Sequence, residues 1–197
     1  LLVSGGHTIL SSVDDNFQIK TLGTKLDDSA GECFDKIARK LNLGYPGGPE
    51  ISKRSELSNN NKFVFPRPMI KSNDYNFSFS GLKTHVINTI HKLDLTNEHI
   101  NNISYEVQSA VVDTLISKSV EASKNLGIKN IVITGGVSAN QKLRKDFSCI
   151  KECKAYFPDV KFSTDNGAMI AYAGFLKTKS SDFKKNFTIK PEPSLTL

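Results

Sequence analysis

Long hydrophobic runs and paired cysteines are both missing from this sequence, and each shortage excludes a class of protein. No stretch approaches the roughly 18 consecutive apolar residues that a membrane-spanning helix needs, and no charged segment with a cleavage site opens the chain. Cys33, Cys149 and Cys153 are odd in number and form no CxxC pair, so neither a disulfide framework nor a zinc knuckle is predicted. These absences argue against membrane and secreted proteins and favour a reducing, cytoplasmic compartment.

The histidines lack the spacing of a metal site. His85, His91 and His99 form neither an HxxxH nor an HExxH pattern. A metallopeptidase would need its own zinc and general base, so this pattern argues against that class. The first residue is not Met, and the opening letters LLVSGG already read as an apolar strand, so we expect a front segment to be missing.

The residues that are present suffice for a folded core with a basic surface. The 197 residues are 38% hydrophobic, which is enough for one ordinary core with, at most, a second lobe. Lysine and arginine number 26 against 20 acidic residues, which gives a net charge of +6. This excess favours a polyanionic partner.

Gly5 and Gly6 join two short β-prone runs, residues 1–4 and 8–13. A Gly-Gly pair supplies the backbone freedom of a tight hairpin turn, and it can also present bare N–H groups to a phosphate. Taken alone, the pair favours a plain hairpin.

The stretch LDDSAGECFDKIARKLNLGYPGGP predicts a helix with a buried face and an acidic face. The apolar residues that recur at helical spacing are Ala30, Phe34, Ile37, Ala38 and Leu41. On the other face stand Asp28, Glu32 and Asp35. They indicate either a solvated face, with Asp35 offset by Arg39 one turn on, or a site.

Residues 50–102 have a looser pattern that resembles an insertion or cap, with one helix over residues 84–93. Arg67 and Lys83 flank its aromatic residues, which could therefore stack on nucleic acid. A small core beneath a long loop also explains them, and this interpretation is favoured. The aromatic residues in question are Phe63, Phe65, Phe77 and Phe79.

The last third reads as a long helix over residues 103–124, a strand, a Gly135-Gly136 turn and a helix capped by Ser138 or Asn140. A strand, a glycine turn and a helix start can form a nucleotide site or a tight connection. A further strand is expected over residues 160–162.

The stretch STDNGAMIA then predicts a helix that runs to about Lys177, with its apolar face packed inward. Thr164 or Asp165 is expected to cap the start of this helix.

Six motifs in this order resemble the tRNA N6-adenosine threonylcarbamoyltransferase family, the TsaD/Gcp type once described as glycoproteases. They are LLVSGGHT, the LDDSAGECFDK segment through YPGGP, FVFPRPM, FSFSGLKT, ITGGVSAN and STDNGAMIAYAG, and they span about residues 1–175. The resemblance implies an α/β fold of the actin, sugar-kinase and heat-shock-ATPase type, with ribonuclease H-like lobes. Residues 1–197 would form mostly the C-terminal lobe, with 50–102 as an insertion and the N-terminal lobe absent.

The resemblance also implies a set of site residues. Binding of the threonylcarbamoyl-AMP substrate falls to Leu2, Val3, Ser4, Gly5, Gly6, Asp35, Gly48 and Asn140. Asp165 matches a metal ligand, whose partners in the family are two histidines of an upstream HxxxH helix. The divalent metal would be iron or zinc, and we expect none in this chain by itself, since one carboxylate cannot hold it.

The implied reaction is transfer of the threonylcarbamoyl group to N6 of the adenosine 3′-adjacent to the tRNA anticodon. The catalytic base stays unassigned, and the chain alone is expected to be inactive. Implied partners are a paralogous subunit of the same fold and a P-loop ATPase. We expect the basic excess to lie along the tRNA path from Lys53-Arg54 through Arg67 to Lys83.

Two departures from the family pattern and one rival interpretation remain. Thr24-Lys25 stands where an acidic pair is usual, and the tail FTIKPEPSLTL lacks the usual ending. The rival is a non-catalytic paralogue that acts as a heterodimer scaffold; the presence of Asp35, Asn140 and Asp165 argues against it.

Overall fold

Five strands and six α-helices make up the described part of the computed structural model, residues 1–58 and 62–178. In chain order they are β1 (Leu2–Val3), β2 (Thr8–Val13), β3 (Ile19–Thr24), α1 (Ala30–Lys40), α2 (Gly47–Glu56), α3 (Ser80–Ile90), α4 (Asn97–Leu126), β4 (Asn130–Val132), α5 (Gln141–Ser148), β5 (Lys154–Tyr156) and α6 (Gly167–Thr178). Two 3-10 helices, Gly136–Ala139 and Val160–Phe162, lie between them. The tail motif FTIKPEPSLTL lies outside the described residues.

The strands form one mixed arrangement in the order β3-β2-β1-β4-β5. Strands β1, β2 and β3 pair antiparallel, while β4 and β5 pair in parallel. A parallel bridge between Leu2 and Thr134 joins the two groups, supported by the Val3 N–H donating to the Thr134 carbonyl at 2.8 Å. Only β2 therefore runs against the other strands, and the predicted α/β class is confirmed.

The periodic apolar residues of α1 and α4 form the core against one face of these strands. All five apolar residues predicted for α1 are at most 1% exposed, and Val107, Val111 and Leu115 of α4 are fully buried. Val3, Leu10 and Ile133 supply the strand side of the same core. The two helix predictions are thus confirmed. The spacing of the apolar residues indicates which side chains are buried away from water.

The aromatic residues of 50–102 belong to this core. Phe77 and Phe79 are fully buried and stack with ring centroids 6.5 Å apart, and Phe65 is 3% exposed. Core packing is confirmed for these rings, which are too buried to stack on nucleic acid. The helix predicted over 84–93 begins earlier, at Ser80, because Asp27 accepts hydrogen bonds from the backbone N–H groups and side chains at its start.

Three local predictions were wrong. Residues 160–162 form a 3-10 helix, and the strand before it is β5. Neither Thr164 nor Asp165 caps α6; the Asn166 side chain accepts from the Met169 N–H at 3.0 Å. Helix α6 does not pack inward, since none of its residues is buried.

None of the helices in residues 1–58 and 62–178 is both long enough and apolar enough to cross a bilayer.

Candidate functional site

The Gly5-Gly6 turn is open to solvent and leaves backbone donors free. The Ser4 N–H donates to the His7 carbonyl at 2.8 Å, and the His7 N–H donates to Ser4 Oγ at 3.1 Å, which closes the turn. A Cβ added to Gly5 or Gly6 would meet nothing within 4 Å. Among the described residues no partner is found for the two glycine amides, so an anion can approach them.

The start of α1 packs directly on this turn. Ser29 Oγ donates to the Gly5 carbonyl at 2.6 Å, and the Gly31 N–H donates to the Ser4 carbonyl at 3.2 Å. A Cβ on Gly31 would lie 2.5 Å from that carbonyl oxygen, so only glycine allows the approach. Gly31 therefore supports the candidate site, and sequence analysis missed it, although the motif that contains it was recognised.

The turn also depends on the first strand. Val3 is fully buried and Leu2 is half-buried, so they contribute to the turn through their backbone and packing. Gly135 has φ +91°, and a Cβ there would lie 2.3 Å from the Val3 carbonyl oxygen. The two glycine turns predicted as separate features are therefore in contact through Val3.

Asp35 holds the start of α2. Its Oδ1 accepts from the Gly47 N–H at 2.7 Å, and the structure shows no ion pair between Asp35 and Arg39. A Cβ on Gly47 would lie 2.7 Å from Asp35 Cα, whereas one on Gly48 would meet only the Phe34 ring at 3.9 Å. Close packing thus requires Gly47, while Gly48, the residue predicted from the resemblance, is half-buried at the helix start.

Asn140 caps α5 and is held by a buried polar chain. Its Oδ1 accepts from the Leu143 N–H at 2.9 Å, and its Nδ2 donates to Gln108 Oε1 at 2.7 Å. Gln108, 4% exposed, in turn donates to Ser55 Oγ of α2 at 2.7 Å. Asn140 rather than Ser138 is therefore the cap, and Gln108 orients its amide. The only sequence signal for Gln108 is a polar residue on the apolar face of α4.

Contacts connect all these elements around one region. Asp35 joins α1 to α2, the Gln108 chain joins α2 to α4 and α5, and α1 contacts the 3-10 helix that precedes Asn140. A Cβ on Gly136 would lie 3.9 Å from Thr164 Cγ2, which brings the segment containing Asp165 to the second glycine turn.

Asp165 is exposed, and within the described residues it has no hydrogen-bond partner. The same residues contain no group of three or more His, Cys, Asp and Glu side chains that could hold a metal ion. Asp165 therefore belongs to no such group within the described part of the chain. Close by, the hydroxyl groups of Ser138 and Ser163 are buried and find no hydrogen-bond partner among the described residues.

Asp28 and Glu32 form an ionic cluster with lysines. Lys36 Nζ lies 2.7 Å from Asp28 and 2.8 Å from Glu32, and Lys83 Nζ lies 2.6 Å from Asp28. Burial alone would raise the pKa of Asp28, but the hydrogen bonds from Lys36 and Lys83 lower it. Lys25 belongs to the Thr24-Lys25 pair that departs from the family pattern, and its Nζ lies 3.7 Å from Glu32 Oε2. The acidic face is thus paired within the protein.

Two residues of the basic path expected for tRNA are engaged by carboxylates. Arg67 bonds to Glu106 and, at 2.8 Å, to Asp113, and its pKa is raised: burial would lower it, but the two carboxylates outweigh that effect. Lys83 faces Asp28. Both cations are about one-fifth exposed and serve the fold, because each neutralises a carboxylate on another element.

The description of the family model that matches residues 1–172 is tRNA N6-adenosine threonylcarbamoyltransferase. Proteins of that name from Thermosipho africanus and Fervidobacterium nodosum are 47% and 43% identical to this chain, over 100% and 98% of its length. The chain spans about 60% of the length of these relatives.

Among solved structures, HypF of T. kodakarensis matches with a TM-score of 0.59 at 18% identity, over 82% of this chain and 21% of that one. A likeness at this identity concerns the fold alone.

Proposed function

We propose, since the chain belongs to the tRNA N6-adenosine threonylcarbamoyltransferase family, that it carries the adenylate-binding part of that activity. The reaction is transfer of the threonylcarbamoyl group from threonylcarbamoyl-AMP to N6 of the adenosine 3′-adjacent to the tRNA anticodon. The observation that carries the proposal is the open Gly5-Gly6 turn, packed against α1 and in contact with the second glycine turn.

Each proposed binding residue has a chemical role that its surroundings allow. The free amides of Gly5 and Gly6 suit the adenylate phosphate, because unpaired N–H groups stabilise an anion. Asp35 uses one oxygen for the Gly47 amide, which leaves the other to accept from a ribose hydroxyl. Asn140 keeps one N–H for the substrate after bonding Gln108.

In the transfer itself, the N6 amine attacks the carbonyl carbon of the threonylcarbamoyl group, the bond from that carbon to the phosphate oxygen breaks, and AMP leaves. The amine loses one proton, and we assign no residue as its acceptor. We assign no chemical role to the other proposed binding residues. They line the site through backbone atoms and packing, and they are Leu2, Val3, Ser4 and Gly48.

We further propose Asp165 as one ligand of a divalent metal, iron or zinc. The described residues do not form a metal site by themselves, because such sites need three or four ligands in one geometry.

The proposal also covers the lobe that the chain forms and the partners of the protein. We place the chain as the C-terminal lobe of a two-lobed protein of the actin and heat-shock-ATPase type, with residues 50–102 as an insertion on that lobe. The mixed strand order with β2 reversed supports this placement. Partners would be tRNA, a paralogous subunit of the same fold and a P-loop ATPase, in the cytoplasm.

The test is mass spectrometry of tRNA nucleosides from cells depleted of the full-length protein. Loss of threonylcarbamoyladenosine, restored by the wild-type gene and by a Lys92→Ala control but not by Asp35→Ala, is the expected result. Unchanged modification in depleted cells would remove the proposal.

A further inference from the structure

Positive charge is concentrated in about one fifth of the described chain. Residues 124–161 contain eight basic and three acidic side chains, a net charge of +5, while residues 1–123 contain 13 basic and 14 acidic. Seven of the 13 basic residues of the first region pair with carboxylates, among them Arg67 and Lys83. Within 124–161 the described residues contain a single ion pair, Lys142 with Asp146 at 2.8 Å.

Three of these cations lie over aromatic rings on the surface beside β5. Lys154 Nζ lies 5.0 Å from the ring centre of Tyr156, and Lys161 Nζ lies 4.9 Å from that of Phe162. The Arg144 guanidinium lies 5.0 Å from the ring centre of Phe157. We call these residues the basic-aromatic surface: Arg144, Lys154, Tyr156, Phe157, Lys161 and Phe162.

This surface is exposed for a structural reason. Tyr156 pairs in register with Val132 on β4, so both point to the face of the strands opposite the core. Tyr156 and Phe162 are each 42% exposed. Between α5 and β5 lies a hollow whose lining includes Arg144, Phe157 and Lys154, so the Arg144–Phe157 pair and the cation of a second pair meet there.

The basic-aromatic surface adjoins the candidate site through Arg144. Its Nε donates to the Ser138 carbonyl and its terminal nitrogen to the Pro158 carbonyl, each at 2.8 Å. Ser138 lies two residues before Asn140. Arg144 therefore connects this surface to the segment that follows the second glycine turn, Gly135-Gly136.

We propose that the basic-aromatic surface binds unpaired nucleotides of RNA. Lysine and arginine supply phosphate contacts, and exposed rings beside them supply stacking platforms that accept any base. The proposal rests on the proposed function, since it assigns the tRNA contact to this surface in place of Arg67 and Lys83. Asp146, Glu152 and Asp159 are the acidic residues of the region, and they leave the net charge strongly positive.

The test is fluorescence anisotropy of the full-length protein with a labelled RNA stem-loop, titrated at several salt concentrations without adenylate. The double variant Lys154→Ala/Lys161→Ala should weaken binding and reduce the slope of log K against log salt by about 1.5, because each lost phosphate contact removes roughly 0.7–0.9. Tyr156→Leu should weaken binding by about ten-fold, with little change in slope.

Matched controls separate this proposal from loss of folding and from failure of the proposed function. Lys71→Ala/Lys92→Ala removes the same charge from exposed positions outside the surface and should leave the slope unchanged. Lys154→Arg/Lys161→Arg should bind as the wild type does. Asp35→Ala should lose transfer yet keep RNA affinity.

Wild-type affinity in the Lys154→Ala/Lys161→Ala variant, or equal losses in the Lys71→Ala/Lys92→Ala control, would overturn the RNA surface while leaving the transferase proposal intact. A wild-type protein that binds RNA but never modifies tRNA would instead remove the transferase proposal alone.

Discussion

Residues 1–123 and residues 124–161 use charged side chains in opposite ways. In the first region cations and carboxylates from different elements pair, as in Lys83 with Asp28 and Lys118 with Asp74, and Lys118 is fully buried. In the second region most cations lie in solvent, over rings or beside carbonyl groups. A count of lysines and arginines therefore does not locate a binding surface, because many of them hold the fold together.

The contrast between the two regions predicts its largest effect on stability for the removal of a paired cation. Arg67→Ala leaves Glu106, which is 2% exposed, without its guanidinium, and we expect a loss of about 3 kcal/mol in the free energy of unfolding. Lys154→Ala, in the second region, should change it by less than about 0.5 kcal/mol. Urea denaturation of both variants measures the difference; equal losses would refute the contrast between the regions.

A carboxylate of the first region should show its contribution through pH. Burial by itself would raise the pKa of Asp27, but hydrogen bonds from Ser78, from Ser80 and from the Phe79 and Ser80 backbone lower it to about 2. Because the folded pKa lies below the unfolded value of 3.8, this stabilisation is present above that pH and is lost as pH falls toward 2.

The corresponding variant is Asp27→Asn, which keeps the shape but not the charge. We expect it to lower the free energy of unfolding by about 2 kcal/mol at pH 6, with the difference from wild type shrinking between pH 4 and pH 2. Denaturation at a series of pH values measures this, with Asp159→Asn as an exposed control. A difference that stays constant with pH would contradict the assignment.

Asp35 tests the comparison at a residue that holds α2 and also belongs to the proposed adenylate site. Asp35→Ala removes the cap from the Gly47 amide and should cost about 1 kcal/mol. It should also weaken binding of adenylate, which isothermal titration measures in the same preparation. Weakened adenylate binding without any loss of stability would mean that the Gly47 bond does not form.

The smallest effect on stability is expected at Asp165. Its side chain is exposed, so Asp165→Ala should change the free energy of unfolding by less than about 0.5 kcal/mol. If it is a metal ligand, the same change in the full-length protein should abolish stoichiometric metal binding, measured by elemental analysis. Retained metal at full stoichiometry would exclude Asp165 from the ligand set.

Sequence patterns predicted α1, α4, α5 and the Gly5-Gly6 turn because these depend on neighbours a few residues apart. The same patterns missed α2, which begins in a stretch with two glycines and a proline and is stabilised by Asp35 and by packing on α1 and α4. They also missed β3, whose pairing with β2 crosses an irregular register between Leu10 and Ser11.

For the candidate site, the sequence by itself determined the residue types and the motif order, and hence the family. Only the tertiary structure decided which side chains are already engaged: Asp35 by Gly47, Asn140 by Gln108, Lys83 by Asp28. Those partners are 12, 32 and 55 positions apart in the chain. Periodicity and spacing describe only local order, so they identify which face of a helix is apolar but not which charge meets which.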